Sequence, residues 1–435
     1  MVAMFGRLLG HRVGLGAASA CLGALAVSPL IPRTAESRQA PPTTGERQAP
    51  GLDLVMVNVV FRHGARAPLT ENYGAHDHEW SYCDRAYEAV RTRIRGLDDT
   101  DRPVSQSDER QRKVTFAGGC RKGQLTSAGQ LQALQLGSRL RERYVGRGFL
   151  PDSYDPAALE VRSTNISRTL DTVTGVLTGL YPDAEEILIE TCDDRREWLY
   201  PNHRNCARLS QLISGRRRET EKMREKSAYH LGLEEKLRDA LGMSPEDGHV
   251  RFVELFDVCK TVKFHSAAHH FKMSDGLLRE LELVATDQMK RFVAPGDDPE
   301  MLALSIGKVL RDLLGGMRRA TVEGEGEPPK MKLFSGHDTT LMPLLVALGY
   351  DLVDWPPFMS NLIFELFRSG DAHYVRIQYN GEVVRIDGSD ARGMVELGDL
   401  AKKLSHLTGE VSCEAKLQAA PPVDEQAAPV SNGVE

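Results

Sequence analysis

Arg62-His63-Gly64-Ala65-Arg66-Ala67-Pro68 sets one histidine between two arginines, directly after the apolar run from Leu54 to Phe61. Guanidinium forks hold phosphate oxygens in pairs and keep their charge at any working pH. An imidazole fixed between them is a nitrogen nucleophile facing a bound phosphorus. Gly64 reads as the residue that lets the backbone turn tightly and approach the ligand. Ser335-Gly336-His337-Asp338-Thr339-Thr340 adds a second imidazole and a carboxyl, and Arg162-Ser163-Thr164-Asn165 adds a third guanidinium.

Phosphomonoester cleavage needs positive charge around the nonbridging oxygens, an in-line nucleophile and a proton for the leaving alcohol. Arg62, Arg66 and Arg162 meet the first need, with His337 as a further hydrogen-bond donor to phosphate. His63 meets the second and Asp338 the third. No metal or other cofactor is called for, because guanidiniums and protons supply the charge, and His269-His270 lacks the spacing of a metal site.

Taken together and in this order, the three motifs resemble the histidine acid phosphatase family. The resemblance implies an α/β core with a helical cap, a phosphohistidine on His63, Asp338 as proton donor and an acidic optimum. It also implies phosphate binding by Arg62, Arg66, Arg162 and His337. Arg162 to Ile166, Leu199-Tyr200-Pro201-Asn202 and Trp355-Pro356-Pro357-Phe358 are similar to a mitochondrial branch of the family that hydrolyses lysophosphatidic acid. That likeness runs from residue 54 to 410 and implies a lysophospholipid as the small-molecule phosphomonoester. Ala67 stands for a serine and Gly336 for an alanine there, changes that leave the chemistry intact. Related mutases carry an acid where this chain has Ala65, which disfavours phosphoryl transfer between hydroxyls. A phosphatase of broad or inositol-phosphate specificity and a non-catalytic phospholipid-binding protein are the alternatives.

Strand-helix alternation places these residues at the carboxyl ends of strands, where ligands of open α/β sheets bind. Strands are expected at 54–61, 159–162, 331–334, 362–367, 374–378 and 383–386, with a hairpin at Asn380-Gly381. Ser127 with Gln130 reads as a capping box opening a helix, and a second helix follows from Ile166 to Leu180. The expected fold is a mixed central sheet flanked by helices, resembling a phosphoglycerate-mutase core, with a smaller, mostly helical cap. Residues 52–189 and 326–415 form the two parts of the core and 190–325 the cap. Within the cap, 216–241, 276–292 and 299–317 are helical, and Arg216-Arg217-Arg218 is a solvated face. Residues 80–123 read as a long loop with short helices. Trp80, Trp355 and Phe358 are core aromatics first and acyl-chain contacts second.

With Lys+Arg at 55 and Asp+Glu at 61, the net charge of −6 argues against nucleic acid as partner. Residues 1–40 are basic and Gly/Ala-rich, a targeting segment read as mitochondrial ahead of secretory. Residues 41–51 read as a linker and 416–435 as a disordered, low-complexity tail; no membrane-spanning helix follows residue 40. Leaving Cys21 aside, six cysteines remain, either disulfide-bonded after export or free in a reducing compartment. Oligomeric state is not legible.

Overall fold

The computed structural model describes residues 51–265, 273–322 and 328–415. The targeting segment, nearly all of the linker and the C-terminal tail lie outside them. Among the described residues nine strands form one mixed sheet: β1 (Asp53–Arg62), β2 (Thr92–Gly96), β3 (Leu159–Ser163), β4 (Ile187–Thr191), β5 (Met331–Gly336), β6 (Asn361–Ser369), β7 (Ala372–Tyr379), β8 (Glu382–Val383) and β9 (Met394–Glu396). Their order is β2-β4-β3-β5-β1-β6-β7-β8, with β9 also on β7. β1 to β5 are mutually parallel where they pair, and β6 turns back antiparallel to β1.

β1 is central because it can be buried on both faces. Val57, Val59 and Phe61 pack on one side with α2 (Ser127–Leu140) and α3 (Ser167–Leu180). Met56 and Val60 pack on the other, in the cluster that holds α8 (Pro299–Arg319) and α9 (Asp338–Ala347). α2 and α3 approach so closely that a Cβ on Gly137 would sit 2.0 Å from the Val176 carbonyl oxygen, and one on Gly179 2.3 Å from that of Leu134. The remaining helices are α1 (Gln106–Gln111), α4 (Ala207–Lys226), α5 (Ala228–Leu241), α6 (Phe252–Phe264), α7 (Asp275–Val293), α10 (Leu397–Lys403) and α11 (Ser405–Thr408). Between β4 and β5 the regular elements among the described residues are all helices, joined by turns and loops. No described helix is long and apolar enough to cross a membrane.

Several local readings change. α2 is capped by Thr126, whose Oγ1 accepts from Gly129 N at 3.3 Å. Ser127 is therefore its first helical residue, and Gln130 instead donates to Asp84 O and accepts from Ala86 N. The 216–241 helix is two helices broken at Ser227, which caps α5 by accepting from His230 N. β2 emerges from the stretch read as loop, held by its parallel pairing with β4. The 383–386 strand stops at Val383, because Ser389 Oγ accepts from Ile386 N and turns the chain at Gly388 (φ 91°). Asn380 (φ 51°) and Gly381 (φ 90°) make the expected hairpin turn.

Cys83–Cys120 and Cys206–Cys413 are disulfide-bonded, while Cys192 and Cys259 are free and buried. The second bridge ties the chain after α11 to the start of α4, where Arg208 N also donates to Cys413 O at 2.9 Å.

Candidate active site

Three neighbouring strand ends build the site. β3, β5 and β1 share one register: Ser163 and Phe61 both pair with Ser335. The next residues leave the sheet at one level, which brings His63, Thr164 and His337 together. His63 N donates to Gly336 O at 3.0 Å and Thr164 N to Ser335 O at 3.1 Å. The His63 and His337 rings lie edge to face, 5.6 Å apart. Asp338 opens α9 beside them.

Gly64 serves a different end from the expected one. It lacks a positive φ, and a Cβ there would lie 2.5 Å from Gly129 O, at the start of α2. Gly129 returns the demand, because its own Cβ would meet Ala65 O at 2.1 Å. The glycine lets the arginine loop rest on a helix rather than on a ligand.

His63 is 1% exposed. Its Nδ1 lies 2.9 Å from Gly64 O, so that nitrogen carries the proton and donates. Nε2 is left with its lone pair. Burial, and then the charges of Arg168, Arg62, Arg66 and His337, hold its pKa well below the usual histidine range. The ring is therefore neutral, and a nucleophile, even in mild acid.

Around it stand arginines whose terminal nitrogens are held by protein acceptors. Arg62 donates to Pro356 O and pairs with Asp338 Oδ2 at 2.9 Å. Arg66 grips Asp257 of α6 through Nη2 at 2.6 Å and Nη1 at 3.3 Å. Arg168, in the first turn of α3, donates to Gln111 Oε1 at 3.1 Å. Among the described residues the Nε of each of these three, like that of Arg162, finds no partner, although each is buried. Buried donors of this kind are rare unless an anion or water completes them. Three of them on cations beside a neutral imidazole fit an oxyanion.

Arg168 is the guanidinium the sequence reading missed. The signal was there: an arginine in the first turn of the helix after β3 starts at the same sheet edge. Its charge is the largest charge effect on both His63 and His337, and burial lowers its own pKa to about 10. Arg162, the expected third guanidinium, shares the buried, unpartnered Nε, and its terminal nitrogens are taken up inside the protein. Its Nη2 lies 2.9 Å from both Glu197 oxygens, a pair exposed by only 3% and 1%. Nη1 donates to Ser163 O.

His337 Nε2 is 3.0 Å from Thr164 Oγ1, and its backbone N donates to Thr340 Oγ1 at 3.0 Å. Asp338 accepts from Thr339 N on Oδ1 and from Trp355 Nε1, at 3.0 Å, on Oδ2. Burial opposes its charged form, but Arg62, Arg66 and the Trp355 hydrogen bond prevail, so its pKa falls below the ordinary carboxylate value. Phe358 lies under Arg62, 4.5 Å from ring centre to guanidinium carbon, with the His63 ring 6.0 Å away. Trp355 and Phe358 are thus buried aromatics that also touch the site. Trp80 is core alone, with Nε1 bonded to Ala75 O. Among the described residues no cluster of His, Cys, Asp and Glu could hold a metal ion.

Residues 53–380 match the model of the histidine phosphatase superfamily, branch 2. The chain belongs to that family. Lysophosphatidic acid phosphatase type 6 of Homo sapiens is 32% identical over 348 residues, covering 76% of this chain and 78% of its own. Counting factor 60 of Dictyostelium discoideum is 29% identical over 372 residues, 81% of this chain and 86% of its own. In fold, the phytase of Hafnia alvei superposes with a TM-score of 0.59 at 17% identity, over 83% of this chain and 98% of that one. The protein is a phosphomonoester hydrolase of the histidine acid phosphatase type, with a small-molecule phosphomonoester as substrate.

Proposed function

We propose that this phosphatase hydrolyses lysophosphatidic acid to monoacylglycerol and phosphate, through a phosphohistidine on His63. The observation that carries the mechanism is the fixed tautomer: Nδ1–H on Gly64 O leaves the Nε2 lone pair among guanidiniums. In the first step Nε2 bonds to phosphorus, the ester P–O bond breaks, and the departing oxygen takes the proton of Asp338. In the second, water attacks phosphorus, the P–N bond breaks, and the Asp338 carboxylate takes the proton of the water. Arg62, Arg66 and Arg168 bind the nonbridging oxygens, with His337 as an added donor, while Arg162 is held by Glu197.

Asp338 is held ionised by Arg62 in the empty site. The proton therefore arrives with the substrate, whose monoanion gives up its second proton near pH 6, as phosphate monoesters do. Activity falls above about that pH.

Charge balance supports a substrate with one phosphate. Arg62, Arg66, Arg162 and Arg168 are offset by Asp338, Asp257 and Glu197. One net positive charge remains, and protonating Asp338 makes two, which matches a single phosphate dianion. Beyond Phe358 the neighbours are rings: Phe264 at 5.6 Å from it, then His265, which stacks on Tyr82. An apolar chain is at home there, and the further phosphates of an inositol polyphosphate are not. Likeness to lysophosphatidic acid phosphatase type 6 supports the same choice. The two disulfides favour an oxidising destination, which puts the secretory route ahead of a reducing mitochondrial compartment. Fractionation of cells expressing a C-terminally tagged chain tests this.

A phosphate-release panel of lysophosphatidic acid, phosphatidic acid, inositol hexakisphosphate and p-nitrophenyl phosphate tests the function. Lysophosphatidic acid should give the highest kcat/KM, and His63→Ala should lose at least about a thousandfold. A His63→Ala enzyme of undiminished activity refutes the mechanism, and a preference for the hexakisphosphate refutes the substrate.

A further inference from the structure

One face of α6 is polar and meets the arginine loop. Glu254, Asp257 and Thr261 lie on it at spacings of three and four, and His265 follows four residues later. Glu254 Oε1 accepts from Thr70 Oγ1 at 2.5 Å and Asn72 Nδ2 at 2.6 Å. Asp257 holds both terminal nitrogens of Arg66. His265 Nε2 sits 3.0 Å from Thr126 Oγ1, the cap of α2. The helix is thus stitched at one end to Thr70 and Asn72, just after the arginine loop, and at the other to the cap of α2, with Asp257 fixed between.

Asp257 differs from the other carboxylates paired to arginines here. Asp338 loses its charge when it holds the proton that the leaving group takes. Glu197 belongs to Arg162, outside the set around His63. Asp257 alone of the three stays charged against a phosphate-binding arginine through both chemical steps. Its side chain is 20% exposed, whereas that of Arg66 is 2% exposed, so the pair forms on the open side of the site. Its charge also reaches Arg62 and Arg168.

We infer that Asp257 is a positioning residue that orients Arg66 and, by competing with phosphate for its fork, weakens the hold on the product so that phosphate can leave. The inference rests on the reading of the His63 site as a phosphate site. A purely structural role and this one differ in sign. If Asp257 only aligned Arg66, its loss would weaken phosphate binding. If it competes, its loss tightens binding while turnover slows at product release.

The test is calorimetric titration of inorganic phosphate into the full chain, wild type, Asp257→Asn and Asp257→Glu, with kcat and phosphate inhibition measured alongside. Asp257→Asn should bind phosphate about tenfold tighter or more, as expected when a like charge a few ångströms from an anion is removed. Its kcat should fall. Asp257→Glu keeps the charge and should stay within about threefold of wild type in affinity. If Asp257→Asn does not fold, Asp257→Ser is titrated in its place. Equal or weaker phosphate binding by the neutral variant, with wild type binding normally, overturns this inference and leaves the function intact. A wild-type chain that binds no phosphate overturns the site reading and this inference together.

Discussion

Arg162 and Arg168 make opposite predictions, and the pair separates a structural guanidinium from a ligand-binding one. Arg162→Met removes the cation from Glu197, which is 1% exposed on its side chain. Breaking a buried pair by deleting one partner costs about 3–5 kcal/mol, because the other charge stays buried. Glu197 Oε1 keeps hydrogen bonds from Trp198 N at 2.8 Å and Leu199 N at 2.9 Å, which moves the expectation to the lower end. With about 2.1 cal/mol/K of unfolding entropy per residue, a folded unit of this size shifts by a little over ~1 °C per kcal/mol, so the midpoint should drop by about 4 °C. The double variant Arg162→Met/Glu197→Leu should recover most of that loss, since no lone charge remains. Arg168→Gln should behave in reverse. It removes a cation that crowds Arg66 and the two histidines, so Tm should hold or rise. A lost oxyanion contact of this type costs about a hundredfold to a thousandfold in rate. Thermal unfolding and phosphate release are read on all three proteins. A stable Arg162→Met enzyme with a hundredfold loss of activity, beside a fully active Arg168→Gln, refutes the assignment.

His63 and His337 are held neutral in the fold, with pKa values well below that of an exposed histidine. The unfolded chain binds a proton at each below about pH 6.5, so acid favours unfolding. Each should contribute a slope of about 1.4 kcal/mol per pH unit from there down to its folded pKa. A Tm that is flat from pH 7 to 5 contradicts this. Asn58 is fully buried in β1 and neither polar atom of its side chain has a partner among the described residues. Asn58→Val should therefore stabilise by about 1–3 kcal/mol, read as a raised urea midpoint; a lowered midpoint counts against the placement. Asn165-Ile166-Ser167 is a glycosylation sequon, yet Asn165 is 1% exposed, accepts from Arg102 Nε at 2.8 Å and donates to Pro103 O at 2.8 Å. Protein expressed through the secretory route should carry no glycan there by peptide mass spectrometry, and an occupied site on active enzyme excludes the described geometry.

What could be read from the chain follows from how local each signal is. β1, β3, β5 and α3 were legible because apolar runs and a proline after Tyr181 are written in consecutive residues. The loop arginines and the His-Asp pair were legible for the same reason, as motifs bound to strand ends. β2 was not, because it exists by pairing with β4 across more than ninety residues and because Thr92-Arg93-Ile94-Arg95-Gly96 has little apolar content; β4 was missed although Ile187-Leu188-Ile189 is apolar. Trp355 was legible as a buried aromatic but not as the donor to Asp338, since that contact joins the chain after α9 to its first residue. Arg162 and Arg168 are the instructive case. Both sit near the end of β3, and composition gives each the same charge. Arg162 is engaged at Nη2 by both oxygens of Glu197, whereas Arg168 donates to the neutral Gln111, and that difference in partner sets how each guanidinium can meet a ligand. The difference is made by a residue thirty-five positions from Arg162. Motifs therefore locate a site such as this one, while the acceptors that finish it come from elsewhere in the fold: the carboxylates of Asp257 from α6 and Glu197 from the loop after β4, and the neutral amide of Gln111 from the end of α1.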